Sequence, residues 1–483
     1  MKHSRQWIGP VMGIVALLVF LVLPPLAPLT PLGMKVTGVF LFTVIWWATV
    51  SVGYPSLLCV AFLVLTGAMT WKVAFAASWG NWLVLFLIGV MGLGGGLRVS
   101  GFSRRFAVWF ISLPFTTGRP WMLVAMLLLA CSLMGMVMSL TANCIIFMAI
   151  VAPMLEEMGY KKGDGFAAML MMGIAWASTA SFVMTPIASA GNLMVIGWMQ
   201  RDIGYTVTFP QWFLWGIPMG LMVYLMLLGI YRYVVRPDVK RIADMSTEYI
   251  RVAKTEMGAM KLEEKIAVGI FLAVIICWLL PDVARTALPD ISAHLSNIGR
   301  AVPALVGACL LCLIKVKNQP ILRFEGWMRE YTEWGTVALI AAIAIIGEVI
   351  GDPQTGIPQL LSNVFQPIAM AAPLYVFVLL SLAWVILQTN AMSNLVSMTL
   401  VYSVMVPIAA SVGTGNPVAL GVEIAAASNL AFALPSATTS TALVIGSGWV
   451  PVPFLFRYGI LLIIPMILLF SFVGYPYACL IFR

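Results

Sequence analysis

A chain of 483 residues that is 62% hydrophobic and only 9% charged, with a mean hydropathy of +1.02, lacks the charge needed to cover a water-soluble surface. This excludes a soluble globular domain and points to an integral membrane protein. The formal net charge of +9 would suggest nucleic acid in a soluble chain, but here the basic residues cluster beside apolar runs, so lipid is their partner and no nucleic acid is expected.

Many apolar stretches approach the roughly 20 residues that span hydrocarbon as a helix, and the alternation of barrel strands is missing. The fold class is therefore all-α and polytopic. The first span, near 8–23, lacks a small-residue cleavage site and runs into "LPPLAPLTPL", so it reads as retained rather than as a signal. Further crossings are predicted near 33–50, 54–70 and 80–97. Next comes 118–157, apolar but broken at Ser139–Asn143, with Arg104, Arg105, Arg119, Lys161 and Lys162 around its ends. Positive charge at both ends predicts a re-entrant hairpin that enters from the cytoplasm. Crossings near 166–199 and 211–233 complete a first unit, residues 1–233.

A basic cytoplasmic linker, 234–263, carries Arg236, Lys240, Arg241, Arg251, Lys254 and Lys261. The second unit, 264–483, has crossings near 264–280, 300–314, 334–350, 418–448 and 453–480, and a second broken apolar pair over 371–410. The total is about eleven spans plus two hairpins. Seven cysteines lie mostly inside apolar spans, without metal-ligand spacing, and read as small packing residues.

The two units resemble each other. "SWGN" (Ser78–Asn81) recurs as "EWGT" (Glu333–Thr336) at an offset of 255, and "SGF" recurs as "TGI" at the same offset. "SLTANCIIFMAIVAP" (Ser139–Pro153) matches "SNLVSMTLVYSVMVP" (Ser393–Pro407) at 254. "ASTASFVMTPIASAGNLMVIG" matches "ASNLAFALPSATTSTALVIG" at 250 before one gap and 249 after it. Matches in one order with a slowly drifting offset mark a duplication. The second unit begins with one crossing fewer, so it is inverted, which puts the N-terminus in the cytoplasm and the C-terminus outside. Inverted repeats with paired interrupted helices point to a secondary transporter.

Backbone in hydrocarbon must satisfy its own hydrogen bonds, so a non-helical stretch survives only where it lines a cavity within protein. The predicted breaks are Ser139–Asn143, Thr185–Asn192, Ser393–Ser397 and Pro435–Thr441. Helix N-termini aimed inward would offer N–H groups and partial positive charge to an anion, and Ser, Thr, Asn and backbone oxygens would suit Na⁺. The solute cradle expected from these breaks is Ser139, Thr141, Asn143, Ser189, Asn192, Ser393, Asn394, Ser397, Thr438, Thr439 and Thr441. A single hydroxyl in a membrane helix more often bonds its own or a neighbouring backbone; the pairing of clusters at equivalent repeat positions argues the other way. Glu348 and Glu423 are further suspects, as carboxylates in or near spans.

"TPIASAGNL" (Thr185–Leu193) and "LPSATTSTALVIGSG" (Leu434–Gly448) resemble the paired unwound loops of the divalent-anion/sodium symporter family, Thr-Pro-x-Gly-Thr-Pro-Pro-Asn and Leu-Pro-x-Ala-Thr-Pro-Pro-Asn-Ala. The stretch 65–105 is similar to the segment leading to that family's first hairpin. The family's hairpin tips carry Ser-Asn-Thr ten residues before a proline. Counting back from Pro153 and Pro407 gives Asn143-Cys144-Ile145 and Ser397-Met398-Thr399, neither an intact copy. The resemblance implies an eleven-span homodimer in the inner or plasma membrane. Its hairpins and broken helices ride in a mobile domain against a fixed scaffold. It further implies Na⁺ coupling through Asn143, Thr185, Ser397, Thr399 and Ala437, and a small di- or tricarboxylate or other divalent anion as solute, with no organic cofactor. An anion exchanger, or a proton-coupled or efflux carrier of an oxyanion such as sulfate, is the alternative.

Two other classes are disfavoured. A membrane enzyme lacks its usual signatures: His3 and His294, the two histidines, fall outside the predicted core, and no Gly-x-Ser-x-Gly pattern or intramembrane aspartate pair occurs. A channel needs neither inverted hairpins nor this many breaks, and rings of charge are absent.

Overall fold

The computed structural model describes residues 2–116, 118–239, 252, 254–255, 257–284, 289–360, 363–364, 367, 373–413, 415–435 and 437–483. Lys240, Arg241 and Arg251 of the expected linker, and the start of the second broken pair at 371–372, lie outside the described residues.

The described chain is almost entirely helical. In the first unit the helices are α1 (Lys2–Val22), α2 (Pro31–Thr49), α3 (Gly53–Leu65), α4 (Trp71–Ala77), α5 (Trp82–Val99), α6 (Phe102–Ile111), α7 (Pro120–Gly135), α8 (Leu140–Glu157), α9 (Gly165–Met184), α10 (Ala190–Asp202) and α11 (Phe209–Ile230). The second has α12 (Leu262–Val283), α13 (Pro289–Ile298), α14 (Ala301–Leu313), α15 (Trp334–Gly351), α16 (Leu374–Thr389), α17 (Asn394–Val412), α18 (Pro417–Ala427), α19 (Thr439–Gly446), α20 (Val452–Leu469) and α21 (Tyr475–Ile481). Local chemistry sets several starts. Thr30 accepts from the Gly33 N–H at 3.1 Å before Pro31 opens α2. Thr208 and Gln211 form a reciprocal capping box on α11. Asn416 caps α18 by accepting from Val418 and Ala419.

Nine helices among the described residues are long and apolar enough to cross a membrane. Their outer faces carry exposed Leu225, Leu272, Ile276 and Ile464, whereas nearly all of α9 is enclosed by protein. Water could not cover such a surface, but lipid tails can. One small departure from an all-helical chain is a hairpin pairing Lys315–Val316 with Gln319–Pro320. Its turn residues Lys317 and Asn318 both have positive φ, 51° and 61°, the backbone of a type I′ turn.

The 254-residue offset of the sequence reappears in the helix boundaries: α16 runs from 374 to 389 where α7 runs from 120 to 135, and α17 starts at 394 where α8 starts at 140. The units also pack across one another in matched pairs. Helix α5 lies on α14 while α15 lies on α3, and α8 meets α19 while α10 meets α17.

Three sequence expectations need correction. Asn143 and Ser397 do not lie in unwound backbone: both sit in the first turn of a helix, because Ser139 and Ser393 serve as N-caps. The last break starts at Ser428 rather than Pro435, since α18 ends at Ala427. Cysteines are not uniformly buried; Cys59, Cys131 and Cys144 are, but Cys277 and Cys309 are exposed on lipid-facing helices, where a thiol replaces an aliphatic side chain at little cost.

Candidate functional site

Four helices begin at one cavity of about 640 Å³. Their N-caps, Ser139 on α8, Ser189 on α10, Ser393 on α17 and Thr438 on α19, all line it. The first N–H groups of a helix have no intrahelical acceptor and carry the positive end of its dipole. Four such ends on one space make it a host for negative charge without a buried lysine. Thr141, Asn394 and Thr439 line the cavity as well, as does Ala437.

The hydroxyls hold the loops as well as facing the cavity. Ser139 accepts from the Ala142 N–H at 3.4 Å, and Thr438 accepts from the Thr441 N–H at 3.2 Å. Thr141 and Thr439 share a hydrogen bond of 3.0 Å that joins the tip of the α7–α8 pair to the start of α19. Ser189 donates to Asn429 Oδ1 at 3.0 Å, and Asn429 in turn donates to Asn192 Oδ1 at 3.3 Å. The two breaks are thus tied to each other across the repeat.

Other predicted residues stand behind this lining. Asn192 is buried and donates to the Phe182 and Thr185 carbonyls at 2.6 and 3.1 Å, closing the first break. Thr441 is buried with its hydroxyl turned back to Thr438 O, 2.8 Å away, and to Pro435 O at 3.3 Å. Thr185 is buried and accepts from the Ile187 N–H at 3.2 Å. Thr399 donates within its own helix, to Leu395 O at 2.7 Å. Asn143 is buried, and its amide N–H₂ donates to Cys131 O at 2.9 Å and Ser178 Oγ at 2.8 Å. Its Oδ1 has no partner, and neither has the buried Ser397 Oγ. A buried oxygen without a donor costs free energy unless something electropositive reaches it. Among the described residues no group of three or more His, Cys, Asp and Glu could hold a metal, so a cation here would meet neutral oxygens. Glu348 is exposed, and Glu423 is buried against Gly474; neither lines the cavity.

Sequence reasoning missed the residues that hold the unwound stretch 428–435. Asn390 Oδ1 accepts from the Phe432 and Ala433 N–H groups, both at 2.8 Å. Its Nδ2 donates to Leu430 O at 3.1 Å and Ile386 O at 2.8 Å. Thr389 donates to Ser428 O. One side of this stretch is pressed by α20 at Gly459, where a Cβ would sit 2.4 Å from Phe432 O. An amide amid the apolar run "VILQTNAMSN" was the available signal. Also missed were Arg98, Tyr331, Glu330 and Glu333, which line the cavity from α5 and the segment before α15.

Residues 4–482 match the family described as the sodium:sulfate symporter transmembrane region. The sodium-dependent dicarboxylate transporter SdcS of Staphylococcus saprophyticus is 25% identical over 457 residues, covering 92% of this chain and 86% of that protein. Among solved structures, the YdaH transporter of Alcanivorax borkumensis superposes with a TM-score of 0.58 at 16% identity, over 97% of this chain and 98% of that one. MtrF of Neisseria gonorrhoeae gives 0.56 at 14% identity, over 99% and 97%. At those identities the two structures speak to fold alone, and they share it end to end. The chain is therefore a multi-pass integral membrane protein that belongs to the sodium:sulfate symporter family, the divalent-anion/sodium symporters that its unwound loops resemble.

Proposed function

We propose that the protein is a secondary active transporter that carries a small di- or tricarboxylate, or another divalent anion, together with Na⁺. The observation that supports this most directly is the convergence of four helix N-termini, each with a serine or threonine at its N-cap position, on one cavity. The solute's carboxylates lie against those N-termini, with Ser139, Thr141, Ser189, Ser393, Asn394, Thr438 and Thr439 supplying hydrogen bonds. Na⁺ sits one layer deeper, where Asn143 Oδ1 and Ser397 Oγ lack partners, with Thr185 and Ala437 on the adjoining breaks. Thr399 is the weakest member of that set, since its hydroxyl is already engaged.

In this reading the α7–α8 and α16–α17 pairs are re-entrant hairpins, and the units are inverted, with the N-terminus cytoplasmic and the C-terminus outside. The hairpins and broken helices move as one body against the remaining spans, in a homodimer of the inner or plasma membrane. The likeness to the sodium-dependent dicarboxylate transporter of Staphylococcus saprophyticus favours sodium coupling and a carboxylate over exchange or proton coupling with an oxyanion.

The test is uptake into vesicles containing the purified protein. Labelled succinate, citrate or sulfate should accumulate under an inward Na⁺ gradient, saturate, and show counterflow. Uptake indifferent to Na⁺ would discard the coupling, and uptake without saturation would discard the carrier. Labelling of single cysteines at the two chain ends from one compartment only would reject the inverted arrangement.

A further inference from the structure

Among the described residues that line the cavity, Arg98 is the only lysine or arginine. We propose that it is the solute's countercharge on the wall formed by α5, and that it sets a preference for doubly over singly charged anions. This rests on the anion-carrier reading above.

The placement follows from packing. Arg98 lies in the last turn of α5, a helix whose glycine-rich face lets neighbours approach closely. A Cβ on Gly95 would fall 2.8 Å from Tyr331 Cγ, so only glycine admits that ring against the helix. Tyr331 ends a π-helical turn, Trp327–Tyr331. Trp327 Nε1 donates to Ile88 O on α5 at 2.9 Å, and Thr332 Oγ1 donates to Trp327 O at 3.0 Å, which fixes the turn. The Arg98 guanidinium stands over the Tyr331 ring, 5.8 Å from its centroid, a cation–π contact that leaves its N–H edge free.

The electrostatics single this arginine out. Among the described residues no carboxylate lies within 4.0 Å of it; the ion pairs found are Arg105–Glu264, Arg201–Asp202 and Arg323–Glu325. Glu330 and Glu333 also line the cavity but are exposed, and Glu333, at the N-cap position of α15, accepts from Thr336 Oγ1 at 3.3 Å. Arg105 shows the contrast: it is spent on Glu264 and on the carbonyls of Met257, Gly258 and Ala259. A half-buried guanidinium without a carboxylate is stabilised when one arrives, and its planar fork matches a carboxylate or sulfate better than an ammonium does. Without Arg98 the same wall would carry Glu330 and Glu333 alone and repel a dianion more than a monoanion.

The experiment compares wild type, R98Q and R98K in vesicles, with KM and maximal rate measured for succinate, sulfate and the monoanion acetate, and with binding followed by titration calorimetry. R98Q should raise KM for the dianions roughly ten- to hundred-fold, leave the rate at saturation near wild type, and narrow the preference over acetate. R98K should recover part of the lost affinity. Wild-type KM and preference in R98Q would overturn the proposal while leaving the carrier intact. So would equal loss in R98K and R98Q with a lowered melting temperature, the pattern of a packing role. A wild type that neither binds nor moves these anions sinks the carrier reading, and this one with it.

Discussion

Asn143 and Ser397 occupy equivalent places 254 residues apart: each is in the first turn of a helix, each is fully buried, and each ends in an oxygen with no partner. Their helices start 254 residues apart, at 140 and 394, so matched positions both carry an oxygen without a partner. Buried polar atoms are ordinarily satisfied, and that two of the exceptions fall at matched positions supports the Na⁺ site proposed above.

Ser397→Ala separates function from stability. It removes a buried hydroxyl that bonds nothing, so the melting temperature should stay level or rise, with about 1 kcal/mol gained at most. The Na⁺ concentration for half-maximal uptake should rise about tenfold, the equivalent of about 1.4 kcal/mol for one lost ligand. A Na⁺ titration of uptake beside a thermal melt decides it; an unchanged Na⁺ dependence rejects Ser397 as a ligand.

Asn390→Ala should do the reverse and act first on stability. The two N–H groups that Asn390 Oδ1 accepts from, and the Leu430 carbonyl, would be left buried and unbonded. At about 1–3 kcal/mol for each such group, the variant should lose roughly 3 kcal/mol or more. An unaltered melting temperature would mean that the unwound stretch holds itself.

If the hairpins move against α5, their contact must break in each cycle. A Cβ on Gly94 would lie 3.3 Å from Val137 O and 3.8 Å from Met138 Cα, within disulfide reach. Oxidising a Gly94→Cys, Met138→Cys double variant should stop uptake, and reduction should restore it. Full transport by the cross-linked protein would show that this contact is permanent.

The Arg105–Glu264 pair joins the two units, 2.8 Å between Nε and Oε2, with both side chains largely buried. Arg105→Ala strands a buried carboxylate and should cost about 3 kcal/mol. Glu264→Gln keeps the cap on the Lys261 N–H, seen at 2.8 Å, and should cost less. Thermal unfolding in detergent compares them; equal melting temperatures would show that the pair contributes nothing.

Features set by neighbours in the chain were the ones legible in the sequence. Apolar length announced the spans, and the repeat announced which hydroxyls stand together, because Ser139, Ser189, Ser393 and Thr438 all occupy the N-cap positions of helices, which neighbours in the chain set. What failed to show was set at a distance. Nothing in "ASNLAFAL" forbids a helix; it unwinds where Asn390 and Thr389, some forty residues earlier, bond its backbone instead. Thr441 reads like its neighbours, yet its hydroxyl turns inward because Leu434, Pro435 and Thr438 fold back over it. Arg98 looks like an ordinary charge closing a span, and only the packing of Tyr331 on Gly95 reveals that it meets the cavity.

The two unwound stretches differ in length: one covers 185–189, the other at least 428–435. A receptacle with true dyad symmetry would accept an unsymmetrical acid in either sense and bind mirror-image forms alike. Here one rim is longer than the other, so, on the function proposed above, an unsymmetrical acid such as malate is expected to bind in one sense only. Under that proposal, transport should distinguish the two mirror-image forms of such an acid.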